Sequence, residues 1–193
     1  LIPGQMYPKS HYVNKYSTKD FLDDSITKIN TDGKILFTKS ITEILIENRL
    51  VDKNFFLTNH NDPIHLNDIE PAFTNTEYWK QGDVFLSPRH QSAIIHYRPS
   101  SNKVINYITG PFAQQHDVDI ISDNEISIFD NNNFFDNNEH SEVIIYNFET
   151  KTFRKLFNNQ LQKENFKTGS EGLSHILKDG SLMIEEQNHG RII

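Results

Sequence analysis

Three histidines stand in short polar segments suited to proton and group transfer. His65 lies in HLNDIEP, His90 in RHQSAIIHY and His116 in QHDVDIISDNEISIFDNN. Neutral imidazole is both a nucleophile and a general base near neutral pH. Arg89 adjoins His90, and its planar guanidinium suits a sulfate, phosphate or carboxylate. Arg98, on the same hairpin, reads as a surface ion pair. Asp68, Glu70, Asp117 and Asp119 accompany the histidines, and a carboxylate beside an imidazole fixes its tautomer and raises its basicity. One such histidine alone is more often structural, whereas three in look-alike segments argue for a shared site.

A repeat must bring these segments together. Ser92-Ala-Ile-Ile-His-Tyr97 matches Ser141-Glu-Val-Ile-Ile-Tyr146, and Gly190-Arg-Ile-Ile193 keeps the two isoleucines in register at the same spacing. His90, Glu139 and Asn188 are equivalent on that alignment. A second element recurs in Thr27–Phe37, Val118–Ile128 and Ser174–Ile184, where Asp32-Gly33, Asp123-Asn124 and Asp179-Gly180 separate two short runs. Such dipeptides between alternating apolar residues are the strongest short hairpin signal. A unit recurring about every fifty residues points to an all-β chain and a β-propeller, whose equivalent positions converge on one axis. Successive strand residues face opposite ways, so Asp117 and Asp119 cannot both point where His116 points, and Val118 and Ile120 would share its face. The conflict disappears if His116 sits at the strand mouth.

Residues 1–22 read as an irregular leading segment and residues 23–193 as a partial propeller domain. The first hairpin spans Asp23 to about Phe37. Ser40–Leu50 is the helical candidate, with Ser40 and Glu43 spaced for a capping box. Asp130–Glu139 reads as a polar loop and Phe157–Gly169 as a linker. About four units fit the chain, whereas six blades need roughly 300 residues. The expectation is therefore a fragment of a longer propeller, or one completed by a partner.

Composition excludes several classes. The net charge of −7 and the scattered lysines and arginines argue against nucleic acid. No apolar run approaches the roughly 18–20 residues that span a membrane. Mean hydropathy is −0.60. The absence of cysteine removes disulfides, zinc-thiolate sites and thiol nucleophiles. The loop at 130–139 offers oxygens for a hard cation but lacks the glycine and spacing of a calcium-binding hand loop. Glu171-Gly172 and Glu185-Glu186 are weakly similar to the axial carboxylates of propeller lactonases, which leaves a metal-dependent hydrolase as a third reading behind an enzyme built on the histidines and a non-catalytic ligand- or protein-binding propeller.

HLNDIEP, then SPRHQS, then QHD, in that order and within residues 23–193, resemble the bacterial arylsulfotransferases. The resemblance implies a six-bladed β-propeller that moves a sulfuryl group from a phenolic sulfate ester to a phenol, without a nucleotide sulfate donor, by a ping-pong reaction through a sulfohistidine. It implies His116 as nucleophile, His90 as a ligand of the sulfuryl oxygens that assists charge transfer, and His65 as a sulfate ligand or acid/base. Arg89, Asn67 and Gln91 are the expected substrate-binding residues, with no metal and no cofactor. The implied partners are small-molecule phenolic sulfates and phenols, a homodimer is compatible with it, and the implied location is periplasmic or extracellular. The family uses a further arginine downstream of the RHQS histidine. Val104–Gly110 has none here, which leaves Arg89 or Arg98 to substitute.

Overall fold

A computed structural model of the chain describes residues 21–51, 61–133 and 140–193. Most of the leading segment and Glu139 lie outside them. The first hairpin pairs β1 (Ser25–Ile29) with β2 (Ile35–Ser40). Its turn is held by the Asn30 side chain, which accepts the N–H groups of Asp32 at 3.0 Å and Lys34 at 2.8 Å. A helix, α1 (Ile41–Glu47), follows directly. Ser40 caps it by accepting the Glu43 N–H at 3.1 Å. Half of the expected box forms, because the Ser40 hydroxyl also donates to Asp23 at 2.5 Å and Glu43 turns toward Lys39.

Two four-stranded antiparallel meanders come next. One runs β3 (Leu66–Pro71), β4 (Val84–Pro88), β5 (Ile94–Arg98), β6 (Lys103–Ile108). The other runs β7 (Val118–Ile120), β8 (Glu125–Asp130), β9 (Glu142–Asn147), β10 (Thr152–Leu156). The last sheet is β11 (Leu173–Ile176), β12 (Leu182–Glu186), β13 (Arg191–Ile192). The isoleucine repeat falls on β5, β9 and β13, each third in its sheet. The Asp-Gly and Asp-Asn hairpins join the first two strands of the first, third and fourth sheets. His90 and Asn188 occupy matching 3₁₀ turns, Arg89–Gln91 and Gln187–His189, between second and third strands. The expected linker at 157–169 instead carries a short helix, α2 (Asn158–Lys163). It has no side-chain cap and buries only Leu161, so no apolar period announced it.

The chain is all-β in its core, and period-two alternation stacks the sheets. In the second sheet Phe85 and Ile94 face Val118, Ile126, Ile128 and Ile144 of the third, around Trp79 and Phe148. Their neighbours Leu86 and Ile95 face the other way, onto Ile26 and α1. Phe129 and Val143 of the third sheet then pack on Phe166, Leu161 and Ile184. Strands buried on both faces read as continuous apolar runs. Among the described residues no helix is long and apolar enough to cross a membrane.

Carboxylates tie each sheet to the next at its first strand. Asp24 accepts the N–H of Leu66 at 2.7 Å, Asp68 that of Val118 at 3.2 Å, and Asp117 that of Ser174 at 3.1 Å. A first strand leaves backbone N–H groups unpaired on its outer side, and buried donors need acceptors. Asp68, Glu70 and Asp117 are therefore structural acceptors rather than companions of the histidines. Burial pushes the Asp117 carboxyl up to about 7, with the charges of Asp119, Asp68 and Glu70 adding and the Ser174 N–H opposing. Burial likewise takes Glu70 to about 7.

A carboxyl raised by folding stabilises the fold fully below its unfolded value near 4, and that contribution is lost as pH rises toward 7. Asp117→Asn keeps an oxygen for Ser174 and removes the charge. Chemical denaturation across pH 4–8 is expected to show a flatter decline in the variant and a gain of about 1–3 kcal/mol at pH 8. A second expectation concerns Gly172, whose φ is +121°. A Cβ there would lie 2.5 Å from the Phe129 ring. Gly172→Ala is expected to cost about 2 kcal/mol or more in thermal melts.

Candidate active site

The site forms where the segment before β3 meets the turn between β4 and β5. Asp62 precedes Pro63, an Asx-Pro pairing that starts turns. Its Oδ1 accepts the His65 N–H at 3.1 Å and holds His65 at φ +52°. Three bonds clasp this segment to the turn. The Arg89 N–H donates to the His65 carbonyl at 2.9 Å, the His90 N–H to that of Ile64 at 3.2 Å, and the Gln91 amide to that of Pro63 at 2.8 Å. The clasp sets the His65 and His90 rings 4.7 Å apart. His65 Nδ1 pairs with Asp62 Oδ2 at 2.5 Å, and His90 Nδ1 with the Asp62 carbonyl at 2.5 Å.

Arg89 lies across the same turn. Its Nη1 is 3.3 Å from His90 Nε2, and its Nη2 donates to the Gly169 carbonyl at 2.9 Å. Gly169 is in turn fixed by Asn188, the repeat equivalent of His90, which accepts its N–H at 2.8 Å. Arg89 Nε is buried with no hydrogen-bond partner among the described residues. Burial pulls the guanidinium below its ordinary value, with Asp62 opposing.

His116 sits at the mouth of β7, just before the assigned strand, and its N–H donates to the Phe129 carbonyl at 2.9 Å. Gln115 anchors it from a fully buried position. The Gln115 amide donates to Ser87 Oγ, the Pro88 carbonyl and the Ala93 carbonyl, all on the flanks of the RHQ turn. Asn67 donates to the Gln115 carbonyl at 3.2 Å. Burial depresses the His116 pKa, the charges of Arg89 and His65 depress it further, and Glu171 and the Gly172 backbone oppose. Its Nδ1 is buried without a partner among the described residues. Burial thus favours the uncharged ring, which lies within the electrostatic reach of Arg89 and His65.

The expected residues therefore divide. His65, His90 and Arg89 are brought together, with His116 electrostatically coupled to them. Asn67 and Gln91 give their amide N–H groups to backbone carbonyls and lace the segments. Arg98 is not at the site. It forks onto Asp83 at 2.8 and 2.7 Å, beside the fully buried His96. Burial raises Asp83, but the Arg98 bonds, the Lys80 N–H and His96 outweigh it and leave the carboxyl at about 2. Asp62 went unrecognised among the sequence motifs, although Asp-Pro three residues before a histidine is a readable turn signal. Glu171 stood out only as a metal ligand, and it acts here on the charge of His116.

Cations have weaker claims. Asp62, His65 and His90 each offer one ligand atom, all within 4.8 Å of one another. Asp62 Oδ2 and His65 Nδ1 are already engaged with each other in a hydrogen bond that a cation would have to displace. The Arg89 guanidinium beside His90 also repels a cation. In the polar loop the carbonyls of Asn131 and Asn132 accept from the Lys167 ammonium at 2.8 and 3.3 Å. Residues 134–139 of that loop lie outside the described ones. Glu186 is bound by Arg191 at 2.6 Å.

An all-β chain of stacked antiparallel meanders thus gathers two histidines and an arginine at one sheet connection. The family model for Arylsulfotransferase (ASST) matches residues 5–193, and the chain belongs to that family. No curated protein matches the chain. The family supports an aryl sulfotransferase-like role that needs no nucleotide sulfate donor. Of the two arginines that could substitute for a downstream one, Arg89 lies beside His90 and Arg98 is held by Asp83. Inorganic sulfate is expected to bind and to perturb the His65, His90 and His116 ring resonances, and Arg89→Gln to weaken that binding roughly 10-fold, the loss of one charge-assisted bond. An NMR titration checks both.

Proposed function

We propose that this protein moves a sulfuryl group from a phenolic sulfate ester to a phenol by a ping-pong reaction through a sulfohistidine at His116. We also read the successive sheets as consecutive blades of a six-bladed propeller, whose connections gather the site. The observation that carries the proposal is the meeting of His65, His90 and Arg89 within the electrostatic reach of a half-buried His116 whose pKa is lowered.

In the first half-reaction a ring nitrogen of His116 attacks sulfur, the S–O bond to the aryl group breaks, and the aryl oxygen leaves as phenolate, which takes its proton from solvent. Imidazole suits this step because it both attacks and leaves well. In the second, the acceptor phenol oxygen attacks sulfur, the N–S bond breaks, and the phenolic proton passes to His65. Arg89 supplies fixed positive charge to the sulfuryl oxygens, which is most valuable where burial lowers the dielectric. Asn67 and Gln91 keep the three segments in place rather than touching substrate.

A chromogenic aryl sulfate tests this reading, with and without a phenolic acceptor, in the wild type and His116→Ala. Phenol release is expected to rise with acceptor and to fall at least about 1,000-fold in the variant. Because burial lowers the His116 pKa, the acid limb of kcat/KM is expected below the ordinary histidine range near pH 6.5. Chelator is expected to leave the rate unchanged. Loss of activity with chelator would favour the Asp62, His65 and His90 cluster as a metal centre. A folded wild type inert toward several aryl sulfates would favour a binding propeller.

A further inference from the structure

Asp62 contacts two site histidines through two different groups. Its carboxylate holds His65, by Oδ1 at the backbone N–H and by Oδ2 at Nδ1, while its main-chain carbonyl holds His90 Nδ1. These partners settle the protons. A carbonyl only accepts, so His90 Nδ1 carries hydrogen. A guanidinium only donates, so His90 Nε2 receives Arg89 Nη1 through its lone pair. Both neighbours of His90 thus select one neutral tautomer. The carboxylate selects the same tautomer at His65, because an ionised carboxylate accepts only.

Each ring consequently turns Nε2 away from Asp62. The lone pair on His90 Nε2 is taken by Arg89 and orients the guanidinium. The lone pair on His65 Nε2 has no hydrogen-bond partner among the described residues and is the one left for a substrate proton. We infer that Asp62 is a positioning residue that fixes both histidines as Nδ1–H tautomers, and so makes His65 Nε2 the acceptor of the phenolic proton while His90 steers Arg89. This inference rests on the sulfuryl-transfer reading for its catalytic consequence. The tautomers themselves do not depend on that reading.

The test is a long-range ¹H–¹⁵N spectrum of the imidazoles in the full chain, with His65→Ala and His90→Ala giving the assignments. The wild type is expected to show both rings as Nδ1–H. Asp62→Ala removes the carboxylate but keeps the carbonyl. His65 is expected to move to the Nε2–H pattern while His90 keeps its own, which also reports that the segment still folds. Asp62→Asn retains an acceptor oxygen and is expected to restore the His65 pattern. In turnover, Asp62→Ala is expected to lower kcat roughly 100-fold with the donor KM little changed, and Asp62→Asn to recover part of it. An Nε2–H pattern at His65 in the wild type, or a His65 pattern indifferent to Asp62→Ala, would overturn the inference. If the wild type turned over no aryl sulfate, the function would fall, and the spectra would still decide the role of Asp62.

Discussion

Everything at the site depends on how one sheet is registered on the next. The recurring device is a carboxylate near the start of a first strand that accepts a backbone N–H from the following first strand, seen at Asp24, Asp68 and Asp117. Apolar packing between sheets is strong but non-directional, and on its own it tolerates sliding. A hydrogen bond to a single N–H does not. Each stitch therefore sets the height of a strand mouth relative to its neighbour, and the mouths are where His65 and His116 stand. The arrangement buries carboxyls whose ionisation is costly, which is why Glu70 and Asp117 rise to about 7.

In the proposed reaction the site divides labour among groups that differ in burial. Burial lowers the His116 pKa and favours its uncharged form, against the pull of Glu171. Arg89 keeps a fixed charge at the turn, tied down by Gly169 and His90. The histidine pair stands further out, its protons ordered by Asp62. A neutral nucleophile beside a fixed cation is favourable for attack on an anionic ester, because the cation offsets the substrate charge without protonating the nucleophile. His96 shows the contrast. It is fully buried, bonded to Asp83 and Asn106 and stacked 4.6 Å from Phe85, so both nitrogens are spent on structure.

Local rules carried much of this into the sequence. The repeated isoleucines at 94–95 and 144–145 mark third strands because a strand buried on both faces must be apolar throughout, and the pair at 192–193 keeps the register although both residues are exposed. Asp32-Gly33 and Asp179-Gly180 mark hairpins because the turn needs left-handed residues. Ser40 marks the helix because it caps it. Residues whose role depends on a neighbour distant in the chain were not legible. Asp68 and Asp117 resembled histidine partners, yet their acceptors' duty lies toward Val118 and Ser174, about fifty residues on. Asn67 and Gln91 carried motif weight, but their amides lace backbone to backbone. The helix at 158–163 buried too little to leave a period.

The most direct measurement is mass spectrometry of the protein quenched in base during turnover of an aryl sulfate. A peptide containing His116 that carries the mass of one sulfuryl group, and loses it when a phenol is added, is the predicted result. Turnover without such an adduct, an adduct on a different residue, or one that persists when phenol is added would contradict the assignment of His116 as the residue that carries the group.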